Sequence, residues 1–269
     1  LGGYLAVWLV CGLVAFAGAT AYAELGTRFP HAGGDYVFLR AAFGPSVAFA
    51  AGWLLFVGVF AGSVATMAVP IGQYQLPVLL SPWLSFDPEQ TLLSLSAFGV
   101  TWVELTAARA VGIGLIVVFT AFNFVGTRLA TWAQLALTIV PVVGFGLAAA
   151  GLLLFTEAAP SPVASAPIDE PVIAFGRALL AVYFAFAGWN AIAYVGGEVA
   201  RPARTIPRAL LGGTVFVTLL YLLLAGAFVH ALGLGALPQA FEAGTATALK
   251  VAGGGGAIVV TGLIALALL

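Results

Sequence analysis

Long stretches without a single charged residue constrain this chain more than any other feature. Residues 1–23, 110–127, 129–156, 178–197 and 251–269 carry no charge, and neither do the longer stretches 41–86 and 209–241. A helix rises 1.5 Å per residue, so crossing about 30 Å of hydrocarbon takes roughly 20 apolar residues. The runs have that length. Only 7% of the residues are charged and 62% are hydrophobic, whereas a water-soluble domain carries about 25% charged residues. The chain is therefore an integral membrane protein. Lipid leaves only helices or closed barrels as spanning structures, and no ten-residue alternation of apolar and polar positions supports a barrel. The reading is all-α, with seven transmembrane helices near 3–27, 46–72, 109–126, 130–155, 173–198, 207–231 and 248–269.

Placing the loops alternately on the two sides sorts the charges. One side receives Arg28, Arg40, Arg128, Arg201, Arg204 and Arg208; the other receives Arg109, Arg177 and Lys250. Acids run the opposite way, with Glu24, Asp35 and Glu198 facing Asp87, Glu89, Glu104, Glu157, Asp169, Glu170 and Glu242. Basic residues near span ends mark the cytoplasmic side, so the six-arginine face is expected inside. In the inner loop FPHAGGDYVFLRAAFGP (29–45), Pro30 and Gly33-Gly34 make a turn, and Asp35 to Phe43 suit a short interfacial helix. The outer loop 73–108 is long enough to hold short helices, and EAAPSPVASAPIDEP (157–171) reads as a flexible linker. Cys11 stands alone in an apolar run, which rules out an intramolecular disulfide. Residue 1 is leucine and IALALL closes the chain within an apolar stretch, so a piece lacking at least one helix at each end is expected.

The fifth span is interrupted. Within VYFAFAGWNAIAY, Gly188 falls near the centre of the uncharged run 178–197. Glycine in a helix interior costs about 1 kcal/mol relative to alanine. Two readings stay open: a small-residue packing notch of the kind membrane helices use, or a discontinuous helix. In the second, one half ends near Phe184 and leaves carbonyls unpaired, at the negative end of a dipole suited to an ammonium group. A second half restarts near Trp189, with Asn190 placed to help cap it. Further on, Arg201 precedes Pro202 and is biased away from helix, while Pro207 suits the first turn of the next helix. Glu198 either pairs with a neighbouring arginine or helps close an inner gate.

FAFAGWNAIAYVGGEVARPARTIPRAL (184–210) resembles the sixth helix and following loop of the amino acid–polyamine–organocation superfamily of amino acid permeases. The likeness is greatest to its light-chain-like branch. GATAYAELGTRFPHAGGDYVFLRAAFGPSVAFAAGW (18–53) resembles that family's second helix, first inner loop and third helix, and FNFVGTRLATWAQLALT (122–138) its fourth-to-fifth helix junction. The resemblance covers most of the chain and makes it family helices two to eight within one transmembrane domain. It implies an inverted-repeat fold of the LeuT type, with substrate between broken helices one and six. By position it implies that Phe184, Ala185, Phe186, Ala187 and Gly188 form the unwound site segment. The carbonyls of 184–187 would hold the substrate ammonium, and Phe184 would lay an aromatic side chain over the substrate. Asn190 falls where some cation-specific members carry an acid. One departure stands out: where proton-coupled members carry a lysine, seven residues after the position of Gln134, this chain has Pro141.

The remaining features carry less. Glu24 reads as a solvated helix end, His230 as the outer end of a helix, and the glycine run 253–256 as close packing or a hinge, since no Lys-Ser/Thr follows it. No cofactor, metal site or nucleic-acid partner is expected. An integral membrane enzyme would gather ionisable groups at one depth, whereas these charges sit at span ends. The expectation is a plasma-membrane transporter of amino acids, neutral ones preferred. A non-transporting sensor on the same scaffold and a carrier of cationic amino acids or polyamines are the alternatives.

Overall fold

The computed structural model describes residues 2–159, 170–240 and 242–269. Its contacts divide the chain into two compact units, Leu1–Phe56 with Ala158–Gly235, and Val57–Glu157 with Ala236–Leu269.

In the first unit, α1 (Gly2–Arg28) leads through a tight turn into the short helix α2 (Asp35–Phe43), where the interfacial helix was expected. Helix α3 (Pro45–Leu80) follows, and the chain passes into the second unit within it. The first unit resumes with α6 (Pro171–Ala185), the single-turn helix α7 (Ala191–Tyr194), a 3₁₀ turn (Gly196–Glu198) and α8 (Pro202–Leu232). Small residues draw α1 and α8 together. Cys11, Ala15, Ala19 and Ala23 recur every fourth residue and are almost fully buried. A Cβ on Gly12 would lie 2.4 Å from the Thr218 methyl. Close backbone approach of this kind drives helix association where lipid supplies no hydrophobic contrast. Helix α8 begins at Pro202, five residues earlier than expected. Pro202 takes the first-turn position, and Pro207 is accommodated inside the helix.

The second unit holds the rest of α3, α4 (Ala107–Val125), α5 (Thr127–Phe155) and α9 (Ala243–Leu268). Two wider π-helical turns, Leu55–Phe60 and Ile71–Gln75, interrupt α3. The second follows Pro70, which lacks the N–H that an α-helical ladder needs. Among the described residues, six helices have the length and apolar composition needed to cross a membrane, and α6 is apolar but shorter. The fold is thus a helical membrane protein.

Two expectations need correction. The outer loop 73–108 holds the end of α3, but then a two-stranded antiparallel hairpin, β1 (Thr91–Ala97) and β2 (Val100–Thr106), rather than further helices. Its two-residue turn, Phe98-Gly99, has positive φ at both positions, which matches the twist of tight hairpins. The span near 248–269 is not one straight helix. Gly253 adopts φ 66° and ψ −162°, and the Thr245 and Thr261 hydroxyls meet at 3.0 Å. Sixteen residues of continuous helix would hold them about 24 Å apart. The chain therefore doubles back at Gly253, and a Cβ at Gly256 would lie 2.4 Å from the Ala252 methyl, so the glycine run both bends and packs closely. Of the linker 157–171, residues 160–169 lie outside the described residues.

Candidate functional site

Helix α6 stops at Ala185, and the backbone through 186–190 is irregular before α7 begins. Gly188 settles the choice between notch and break. It has φ +89°, and an added Cβ would meet nothing within 4 Å. Glycine is needed there for its backbone conformation, not for close packing. The fifth span is a broken helix. Its second half is shorter than expected: one α-helical turn and one 3₁₀ turn, with extended backbone at Val199 and a left-handed Arg201. Asn190 occupies the N-cap position, but its side chain makes no capping bond and instead donates to the Tyr194 hydroxyl at 3.4 Å.

The last carbonyls of a helix have no intrahelical partners. The Tyr183 carbonyl accepts from the Phe186 amide and the Phe184 carbonyl from the Ala187 amide, each at 3.0 Å. The Ala185 carbonyl accepts from the Tyr221 hydroxyl of α8 at 2.8 Å. Among the described residues, no donor reaches the carbonyls of Phe186 and Ala187. Of the four carbonyls expected to face an ammonium, two are thus occupied and two are open.

These residues border a cleft of about 280 Å³. Ala185, Phe186, Ala187, Gly188 and Trp189 line one side; Ala209, Leu210, Gly213, Thr214, Val217 and Tyr221 of α8 line the other. Four of the six predicted site residues therefore come together, and Phe184 and Asn190 are not part of this lining. Phe184 is 55% exposed, whereas Phe186 is 4% exposed. The Phe186 ring packs against Tyr221 at 5.1 Å and Trp8 at 6.5 Å. Successive helical residues turn by about 100°, which sends Phe184 and Phe186 to opposite sides.

On the side of α7, a polar cluster ties the broken segment to the loop before α2. Asp35 accepts one hydrogen bond from the Tyr22 hydroxyl on its Oδ1 and another from Tyr194 on its Oδ2, the latter at 2.6 Å. The Gly33 amide donates to the Tyr194 carbonyl at 2.9 Å. A Cβ at Gly34 would sit 2.7 Å from the Tyr194 ring. Trp189 stands edge-on to Tyr22 at 4.9 Å. Asp35, Tyr22, Tyr194 and Tyr221 were not singled out from the sequence. Their one local signal is the GGD turn, which places an acid directly after two glycines.

The other candidates are quickly located. Glu198 is exposed and forms no ion pair with a described residue, so the expected pairing with an arginine is absent. Glu24, read as a merely solvated helix end, is exposed and bonded to Arg28 one turn on; such surface pairs contribute little. Pro141 lies buried within α5. No group of three or more metal-ligating side chains occurs among the described residues.

Comparison with known proteins supplies the family. The family model described as "Amino acid permease" matches residues 1–269. The chain is 28% identical over 270 residues to the serine/threonine exchanger SteT of Bacillus subtilis, covering 97% of this chain and 54% of that protein. It is 33% identical to an uncharacterized transporter of Mycobacterium tuberculosis, covering 93% of this chain and 50% of the relative. It is 30% identical to the human large neutral amino acids transporter small subunit 2, covering 93% and 44%. The chain spans about half the length of the curated relatives it matches. With a broken helix, open carbonyls and a match along its whole length, the chain belongs to the amino acid permease family.

Proposed function

We propose that the protein containing this chain is a secondary transporter that moves amino acids across the plasma membrane by alternating access, with neutral side chains preferred. Both units belong to one transporter domain in this reading, and the six-arginine face is cytoplasmic. The observation that carries it is the pair of open carbonyls, Phe186 and Ala187, beside a cleft at the interrupted end of α6. The C-terminal end of a helix is the negative end of its dipole. Two unpaired carbonyls at that end suit the α-ammonium group common to all amino acids.

The preference for neutral side chains rests on the lining. Among the described residues no acid borders the cleft, and both oxygens of Asp35 are already taken by tyrosine hydroxyls. A buried cationic side chain without a counter-charge loses several kcal/mol. By the family resemblance, Phe184 offers substrate an apolar surface although it lies outside the cleft lining, Asn190 trims selectivity, and Glu198 serves the inner gate. Two relatives, named a serine/threonine exchanger and a large neutral amino acids transporter, agree with this preference. With Pro141 where proton-coupled relatives carry a lysine, exchange or facilitated movement fits better than proton coupling.

Reconstituted into liposomes, the protein should exchange labelled neutral amino acids, and uptake should survive collapse of the pH gradient. Binding without flux across a broad amino acid panel would replace the transporter with a sensor.

A further inference from the structure

We infer that Tyr221 is a positioning residue for substrate: its hydroxyl sets which carbonyls of the broken segment are open. The inference rests on the amino acid site proposed above and goes beyond it by assigning a role to α8. The Tyr221 hydroxyl donates to the Ala185 carbonyl at 2.8 Å, across 36 residues of sequence, and both residues line the same cleft. Ala185 is the last helical residue before the break. Its carbonyl would otherwise point a third unpaired acceptor along a segment that no regular structure restrains.

The ring and the hydroxyl do separate things. The ring packs edge-on to Phe186 at 5.1 Å and to Trp8 at 5.4 Å, which holds Phe186 in the core of the first unit. The hydroxyl alone reaches the break. Because Phe186 and Ala187 directly follow the tethered carbonyl, loosening residue 185 frees the two open acceptors to move. An ammonium group then meets acceptors that must be ordered on binding, and ordering costs affinity. Removing the hydroxyl should weaken binding and leave the transport cycle intact once substrate is bound.

Tyr221→Phe isolates this, since it keeps the ring and deletes one oxygen. In liposomes holding the full transporter, KM for a neutral amino acid such as leucine should rise about three- to tenfold, the scale of one hydrogen bond. Vmax should stay within about twofold. A second variant keeps the fold intact in any case: 3-fluorotyrosine at 221 has a more acidic hydroxyl that donates more strongly, and its KM should equal or fall below that of the wild type. Unchanged KM in Tyr221→Phe, or a fall in Vmax alone, overturns the role of Tyr221 while leaving the amino acid site standing. So does a raised KM in the fluorotyrosine protein. Absence of amino acid binding in the wild type overturns the site itself, and this inference with it.

Discussion

Replacing Asp35 by asparagine tests the cluster that fastens the broken segment at its α7 end. The carboxylate accepts from two phenols, Tyr22 and Tyr194. An amide keeps one acceptor oxygen and presents donors in place of the other. One hydroxyl therefore loses its acceptor, and the other exchanges a charge-assisted bond for a neutral one. Bonds to charged groups contribute about 1.5–3 kcal/mol and neutral ones about 0.5–1.5 kcal/mol. The gross loss is then about 2.5–4.5 kcal/mol, and because the groups are half-buried, water recovers part of it. A net local destabilisation of about 2 kcal/mol remains, which is roughly 30-fold in an opening equilibrium. Hydrogen exchange reads it directly: protection in residues 189–198 and 33–43 should fall by that factor, with α4 and α5 unchanged. Tyr194→Phe deletes the donor to Asp35 and the acceptor for Asn190, so it should cost about 1.5–3 kcal/mol in the same segments, and less than that when added to Asp35→Asn, because the two changes share the Tyr194–Asp35 bond. Unchanged exchange in these segments, or an equal loss of protection throughout the chain, would refute the tethering argument.

Other outcomes follow from single positions. Gly188→Ala forces a side chain into φ +89° with open space around it, so the cost is backbone strain alone, about 1–2 kcal/mol. It should lower the melting temperature in detergent, while Gly114→Ala in α4, where a Cβ also meets nothing, should be neutral or stabilising. Phe184→Ala should leave stability nearly unchanged, because the ring is 55% exposed, yet weaken neutral amino acid binding by about 0.5–2 kcal/mol, or two- to thirtyfold. Unchanged affinity removes Phe184 from the site. With Cys11→Ala as background, single cysteines at the exposed Ala158 and Ala203 should label from opposite membrane faces, Ala158 from outside. Labelling of both from one face would overturn the proposed orientation.

The elements legible in the sequence were those set by one local property. Charged residues bound the apolar runs, so α1, α4 and α5 begin and end within two or three residues of where those charges put them. Gly188 marked the break for the same reason, although from sequence a packing notch served equally well; only its φ and the empty space around it decide. Features made by non-local contact were hidden. The hairpin 91–106 alternates over only seven residues per strand and is exposed along nearly its whole length, so no buried face announced it. The glycine run was read as a hinge or a packing surface, but a fold-back that brings Thr245 to Thr261 depends on what the arms pack against. Asp35 and Tyr194 are 159 residues apart, and Tyr221 reaches Ala185 across 36. Neither pairing follows from a motif; both follow from helices converging on one break.

Substrate occupancy of the break beside the open carbonyls can be read directly. In a Cys11→Ala background, Ala187→Cys places a thiol on the exposed lining of the cleft, next to both carbonyls. The rate at which a small methanethiosulfonate modifies it, with and without amino acid, reads occupancy of the site. A neutral amino acid such as leucine or serine should slow modification in a saturable way, and arginine at the same concentration should not. Modification indifferent to every amino acid, or slowed as much by arginine as by leucine, would contradict the account.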